Sequence, residues 1–210
     1  MQPPIDVGSI VPSTRDLLQP IATRRKTLSL IAELSDDRPA EEAARLDELN
    51  VTAFAFAEPG PALKAAARAT KTVPSLCLRL AADHDALLAA RFFGADGVCI
   101  DDKLPQEAWE KIAKTARTMR MLPLAVARDA AGVETTVKAG AKVLLLSAST
   151  AAELSELAAA APRSMTLVGS LDKADVASIR ALEGHIDALI VPQAVHAAPG
   201  FAELLAELDA

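Results

Sequence analysis

The chain has no tyrosine, a single tryptophan and only 3% aromatic residues. Surfaces that bind single-stranded nucleic acid stack bases on aromatic rings, so this composition argues against one. Glycine is scarce, at 9 of 210 residues, and no Gly-rich phosphate loop occurs. The two cysteines, Cys77 and Cys99, lie inside the apolar runs SLCLRL and GVCID, without the His/Cys spacing of a zinc site. They read as buried small hydrophobes of a reducing compartment, not as a disulfide framework. No apolar run approaches the roughly 20 residues that cross a bilayer, and the opening MQPPIDVGSIVP lacks the basic start and apolar core of a secretory signal. A soluble cytoplasmic protein with no membrane contact is expected. The net charge of −6 would repel a phosphate backbone. The one dense basic cluster, Arg24-Arg25-Lys26, reads as a solvated flank, so no nucleic-acid partner is expected.

What is present is apolar surface: 51% of the residues are hydrophobic, enough for a substantial core. Short apolar runs at 28–34, 53–57, 75–80, 97–100, 124–127, 142–146, 166–168 and 188–191 read as strands. Each is followed by an Ala/Leu-rich segment with helical periodicity. The run at 142–146 is apolar after Lys142, as suits a parallel strand buried on both faces. Eight strand-helix units in so short a chain predict a small (β/α)8 TIM barrel with a short N-terminal extension, with an open doubly wound sheet as the alternative. Residues 1–27 would form an N-terminal arm and short helix, and 28–210 a single barrel domain. Ser13 is a plausible N-cap for a helix that Pro20 kinks, and that segment could cover one end of the barrel.

Several blocks in this frame carry a family resemblance: IAEL followed by Pro39, VPSLCLRL as third strand, RFFGADGVCI leading into the fourth, LPLAVARD as the fifth and KAGAKVLLL as the sixth. With them the chain resembles the indole-3-glycerol phosphate synthase family of tryptophan biosynthesis. The resemblance implies a carboxy-lyase that closes an indole ring on a phosphorylated substrate, using a lysine acid, assisting carboxylates and backbone donors to phosphate. Against that pattern Glu33 and Ser170 are retained. Ser35 and Leu78 stand at the lysine positions, Val126 at a glutamate, Ser147 and Ser149 at an asparagine and arginine, and Pro192-Gln193 at the phosphate-binding Gly-Ser.

The catalytic residues implied by the resemblance are therefore largely replaced. The leading expectation is a non-catalytic binding or assembly protein on a barrel scaffold. The alternative is an active enzyme, either a divergent synthase or one acting on another small anionic substrate. Strand ends at the C-terminal face, where barrel sites are built, offer Glu33, Arg38, Arg79, Arg128, Ser147 and Ser170 as ligand-binding candidates. The arginines could fork around a small anionic or phosphorylated molecule, or pair with Glu33, Asp101 and their neighbours and plug the mouth. No metal or cofactor is expected. His84, His185 and His196 read as surface residues. A protein partner or self-association would need an apolar patch, for which Phe92, Phe93 and Trp109 are candidates.

Overall fold

In the computed structural model, which describes residues 7–208, eight parallel strands close into a barrel in sequence order. They are β1 (Ser29–Glu33), β2 (Ala53–Phe56), β3 (Ser75–Ala81), β4 (Gly97–Ile100), β5 (Leu122–Ala127), β6 (Val143–Ala148), β7 (Thr166–Leu171) and β8 (Ala188–Val191). β8 returns to pair with β1, Ile31 opposite Ile190, so the sheet has no open edge. An open doubly wound sheet is thereby excluded. The helices are α1 (Leu18–Ile21), α2 (Pro39–Glu48), α3 (Pro61–Ala69), α4 (His84–Phe92), α5 (Gln106–Thr118), α6 (Ala130–Lys138), α7 (Ala151–Ala160), α8 (Val176–Ala181), α9 (Gln193–His196) and α10 (Phe201–Leu208). Among the described residues no helix is long and apolar enough to cross a membrane.

The period-2 alternation of the strands divides the core in two. Leu30, Ala32, Phe54, Cys77, Leu144 and Leu146 face outward and pack under the helices. Ile31, Ala55, Leu76, Cys99, Val126, Leu145 and Ile190 face inward and fill the barrel. Burial pushes the Cys77 thiol up to about 11 and that of Cys99 in the same direction. Trp109 and Phe93 are buried, and Lys64 sits 4.0 Å from the centroid of the Phe92 ring. The three rings therefore do not make the exposed patch that the sequence suggested.

The helix in the segment ahead of β1 is confined to Leu18–Ile21. Among the described residues this segment holds a 3-10 turn at Val7–Ser9 and the single turn of α1, and it runs across the base of the barrel, gripped at two points. At one, buried Asp96 accepts hydrogen bonds from Ser13 Oγ (2.5 Å) and the Ser75 amide (2.9 Å). It also pairs with Arg15 (2.8 Å) and Arg91 (3.1 Å). At the other, buried Asp187 accepts from the amides of Arg25 (2.9 Å) and Leu167 (2.8 Å) and from Thr23 Oγ1 (3.3 Å). Each aspartate directly precedes a strand, β4 or β8, and uses one oxygen to hold the first turn of sheet beside it. Between the two grips Leu17 and Ile21 enter the barrel floor, at 2% and 0% exposure. Burying each is worth about 1.5–3 kcal/mol. Gly97 makes room for this plug, since a Cβ there would collide with the Leu17 side chain.

Helix starts face the opposite end. Asp83, Asp129 and Asp175 cap α4, α6 and α8 by accepting the amides of Ala86, Gly132 and Ser178, and Thr150 forms a capping box on α7 with Glu153. Much of the acidity at the mouth is thus helix capping, which also favours the positive end of each helix dipole.

Candidate active site at the barrel mouth

Strand alternation decides which side chains can share a site. On β1, Glu33 has the parity of inward Ile31; on β4, Asp101 follows inward Cys99; on β5, Arg128 follows inward Val126. On β6 and β7, Ser147 and Ser170 have the parity of inward Leu145 and Val168, and they lie opposite one another in the sheet register. Glu33, Ser147 and Ser170 thus stand in the strands at inward parity, and Asp101 and Arg128 are the residues directly after β4 and β5, above an apolar floor that includes Val126, Leu145 and Ile190, with Leu78 and Leu80 packed against it.

The other two candidate arginines lie elsewhere. Arg79 alternates with inward Leu78 and Leu80, so it stands on the outer side of β3, exposed, and pairs with Glu58 on the loop after β2 (2.7 Å). Arg38 is the exposed residue before α2, with a left-handed backbone (φ 46°), 3.9 Å from Asp37 and 3.7 Å from Glu41. Arg128 approaches Asp102 at 3.4 Å. None of the three pairs with Glu33 or Asp101. Asp101 instead accepts the Lys103 amide (3.0 Å), and Asp102 is not a helix cap, since Pro105 holds that place before α5. Glu33 has no ion pair among the described residues. Beside it, between the ends of β1 and β2 and the start of α9, lies a cavity of about 350 Å³ lined by Glu33, Asp36, Phe56, Glu58 and Gln193 among others. Ser149 donates to Asp172 across the β6 and β7 ends (2.8 Å).

One residue behind this site was misplaced by sequence reasoning. His196 is not on the surface: it is 0% exposed, on α9 just beyond β8. Its Nε2 lies 2.9 Å from the Glu33 carbonyl oxygen, and its Nδ1 lies 3.4 Å from Glu42 on α2. The carbonyl can only accept, so Nε2 carries a proton. Arg45 completes the group, bonding Glu42 and donating to the His196 carbonyl (3.0 Å). The Arg45 guanidinium holds the Glu42 carboxyl below its ordinary range, and Glu42 in turn raises Arg45. This cluster fixes the end of β1, and with it the backbone that carries Glu33. No local sequence signal marks this burial, because it depends on the contact of α9 with the end of β1. His84 and His185 are exposed, as expected. Among the described residues no group of three or more His, Cys, Asp or Glu could hold a metal ion.

The fold is shared with solved barrels of low sequence identity. The KGPDC of Streptococcus mutans superposes with a TM-score of 0.69 at 11% identity, over 88% of this chain and 100% of that one. The 3-hexulose-6-phosphate synthase of Salmonella typhimurium gives 0.70 at 16% identity, over 86% and 96%. A thiamine phosphate pyrophosphorylase of Pyrococcus furiosus gives 0.64 at 18%, over 88% and 95%. No family model and no curated protein matches the chain. The likeness to indole-3-glycerol phosphate synthase drawn from the sequence is overturned: the structural neighbours are these other barrels. The blocks that carried it are ones that many small parallel barrels need. VPSLCLRL and KAGAKVLLL are strands with their helix ends, and the aspartate of Gly94-Ala95-Asp96 anchors the arm.

Proposed function

We propose that the protein is an enzyme acting on a small phosphorylated organic molecule at the C-terminal mouth of the barrel. The observation that carries this reading is the inward parity of Glu33, Ser147 and Ser170 at the C-terminal ends of β1, β6 and β7, with Asp101 and Arg128 directly after β4 and β5, over an apolar floor. In this reading Arg128 and the two hydroxyls hold the anion. The pair between Arg128 and Asp102 has a half-exposed arginine (52%). Ion pairs of that kind are worth at most about 1 kcal/mol, so turning the guanidinium toward a phosphate costs little. Glu33, which no cation neutralises among the described residues, is placed to act as general base, and the floor keeps water from the reacting atoms.

The names of two of the similar barrels, 3-hexulose-6-phosphate synthase and thiamine phosphate pyrophosphorylase, give the substrate class its support. The expectation of a non-catalytic protein rested on residues that the set-aside resemblance demanded. Without that demand, Leu78 and Val126 are floor residues and no evidence of lost chemistry. Tryptophan biosynthesis loses its support in the same way.

The test is a panel of phosphorylated sugars and related phosphate esters, screened by thermal shift and then by proton NMR in deuterated solvent. A compound that raises the melting temperature should exchange or lose a carbon-bound proton in the presence of wild type. Glu33→Gln should keep the thermal shift and abolish the exchange, while Arg128→Gln should abolish the shift. Turnover undiminished in Glu33→Gln would refute the assignment.

A further inference from the structure

The opposite end of the barrel holds a cavity that the mouth chemistry does not use. It has a volume of about 810 Å³, lies between the N-terminal arm and the β7 and β8 starts, and is lined by Arg24, Arg25, Arg163, Ser164, Thr166 and Asp187 among others. The one carboxylate in that lining, Asp187, is occupied by neutral donors: the amides of Arg25 and Leu167 and the hydroxyl of Thr23. None of the three arginines makes a side-chain ion pair or hydrogen bond among the described residues. Arg25 Nη2 is buried and without a partner. A buried, unsatisfied donor on a cation is costly unless something accepts from it.

The backbone adds an independent observation. Arg24 and Arg25 are consecutive non-glycine residues in the left-handed region, at φ 57° and 60°. L-residues enter that region singly and rarely. The turn is held there by the Arg25 amide, which donates to Asp187 (2.9 Å) and to Thr23 Oγ1 (3.2 Å). A strained turn that brings two adjacent guanidinium groups to one cavity has the form of a built site.

We propose that this cavity binds the phosphate group of a small metabolite, with Arg24, Arg25 and Arg163 as its cationic donors and Ser164 and Thr166 as available hydroxyls. Its volume is that of a small-molecule pocket, about 300–1,000 Å³. The guanidinium fork suits a tetrahedral oxyanion. A polynucleotide is disfavoured, because no aromatic residue lines the cavity to stack a base. The site is independent of the mouth reading, since it shares no residue with it and lies across the barrel.

The experiment titrates the full chain with inorganic phosphate and pyrophosphate, followed by phosphorus NMR and calorimetry, in wild type, Arg25→Gln, the double variant Arg24→Gln/Arg163→Gln, and Arg128→Gln at the mouth. Each base variant should weaken anion binding by at least about tenfold, in keeping with loss of a charge-assisted bond, while Arg128→Gln leaves it intact at the base. The double variant changes only exposed side chains, so the test survives if Arg25→Gln fails to fold. Three results would each overturn the proposal: no binding by wild type, equal binding in the double variant, or binding abolished by Arg128→Gln alone. Failure of the mouth reading shows instead as unaltered turnover in Glu33→Gln. Tighter binding to a short RNA than to pyrophosphate, with the same loss in the variants, would also overturn it by replacing the small-molecule ligand.

Discussion

Replacing Asp96 by alanine should be among the most destabilising single changes in the molecule. The carboxylate is 0% exposed and pairs with two arginines that are themselves 11% and 14% exposed. Removing one partner from a buried charge cluster costs about 3–5 kcal/mol. Two opposing corrections apply. The arginines retain other acceptors, Arg15 on the carbonyls of Ala67 (3.1 Å) and Gly94 (3.2 Å), and Arg91 on those of Val11 (2.8 Å) and Ala95 (2.6 Å), which lowers the cost. The fully buried Ser75 amide loses its acceptor, which raises it by about 1–3 kcal/mol. The corrections roughly cancel, so about 3–5 kcal/mol stands as the expectation, or a fall in Tm of roughly 6–20 °C for a chain of this size. Urea unfolding followed by circular dichroism measures it as a lower midpoint at unchanged slope. Glu134→Ala, which breaks an exposed pair with Lys138 (2.6 Å), is the control and should leave the midpoint in place. If Asp96→Ala shifts the midpoint no further than this control, the arm is not anchored through Asp96.

The thiols supply a second check. With Cys77 pushed up to about 11 and Cys99 shifted the same way by burial, both are neutral thiols at mildly alkaline pH. Neither should react with a disulfide reagent in the folded protein, and both should titrate rapidly in urea; a fast-reacting native thiol would contradict the packing. A third check concerns acid. Glu42 is held below its ordinary value of 4.5 by Arg45, so its contribution to stability is complete above that value and is lost as pH falls through the lower folded value. Glu42→Gln should therefore be less stable than wild type at neutral pH, with the gap in urea midpoint closing under acid conditions. A gap that widens on acidification would mean that Arg45 is not the controlling partner.

The barrel was legible because each unit repeats one physical pattern: an apolar strand, then an amphipathic helix that starts near a cap and often ends at glycine. Where boundaries failed, polarity misled. β6 and β7 were expected to stop at Leu146 and Val168, yet they run on to Ala148 and Leu171. Ser147, Gly169 and Ser170 look like loop residues, but at the mouth an inward polar side chain can reach solvent while its backbone stays in the ladder. The helix of the arm is shorter than its pattern for a different reason. Its helical pattern is real, with Leu17 and Ile21 four residues apart, but Asp96 and Asp187 fasten the residues on either side. The segment therefore crosses the base with one turn of helix between its two grips. Long-range partners of that kind leave no local signature.

The same limit explains why the candidate site was read only in part. Type and position along the chain nominated three arginines together, but strand parity separates them: Arg128 falls inward, Arg79 falls outward, and Arg38 sits beyond the strand at a helix start. Parity is local and was available in the sequence once β3 was taken as Leu76, Leu78 and Leu80 inward. Burial of His196 was not, because it depends on α9 folding back over the end of β1. That contact gives Glu33 its setting. An inward carboxylate on a frayed strand end would sample many positions, whereas the His196 ring bonded to the Glu33 carbonyl, and itself backed by Glu42 and Arg45, ties the last residue of β1 to two helices. A general base must be held within hydrogen-bond reach of the proton it takes. Under the proposed function His196 is therefore a positioning residue: it touches Glu33 through the backbone and does not line the mouth cavity.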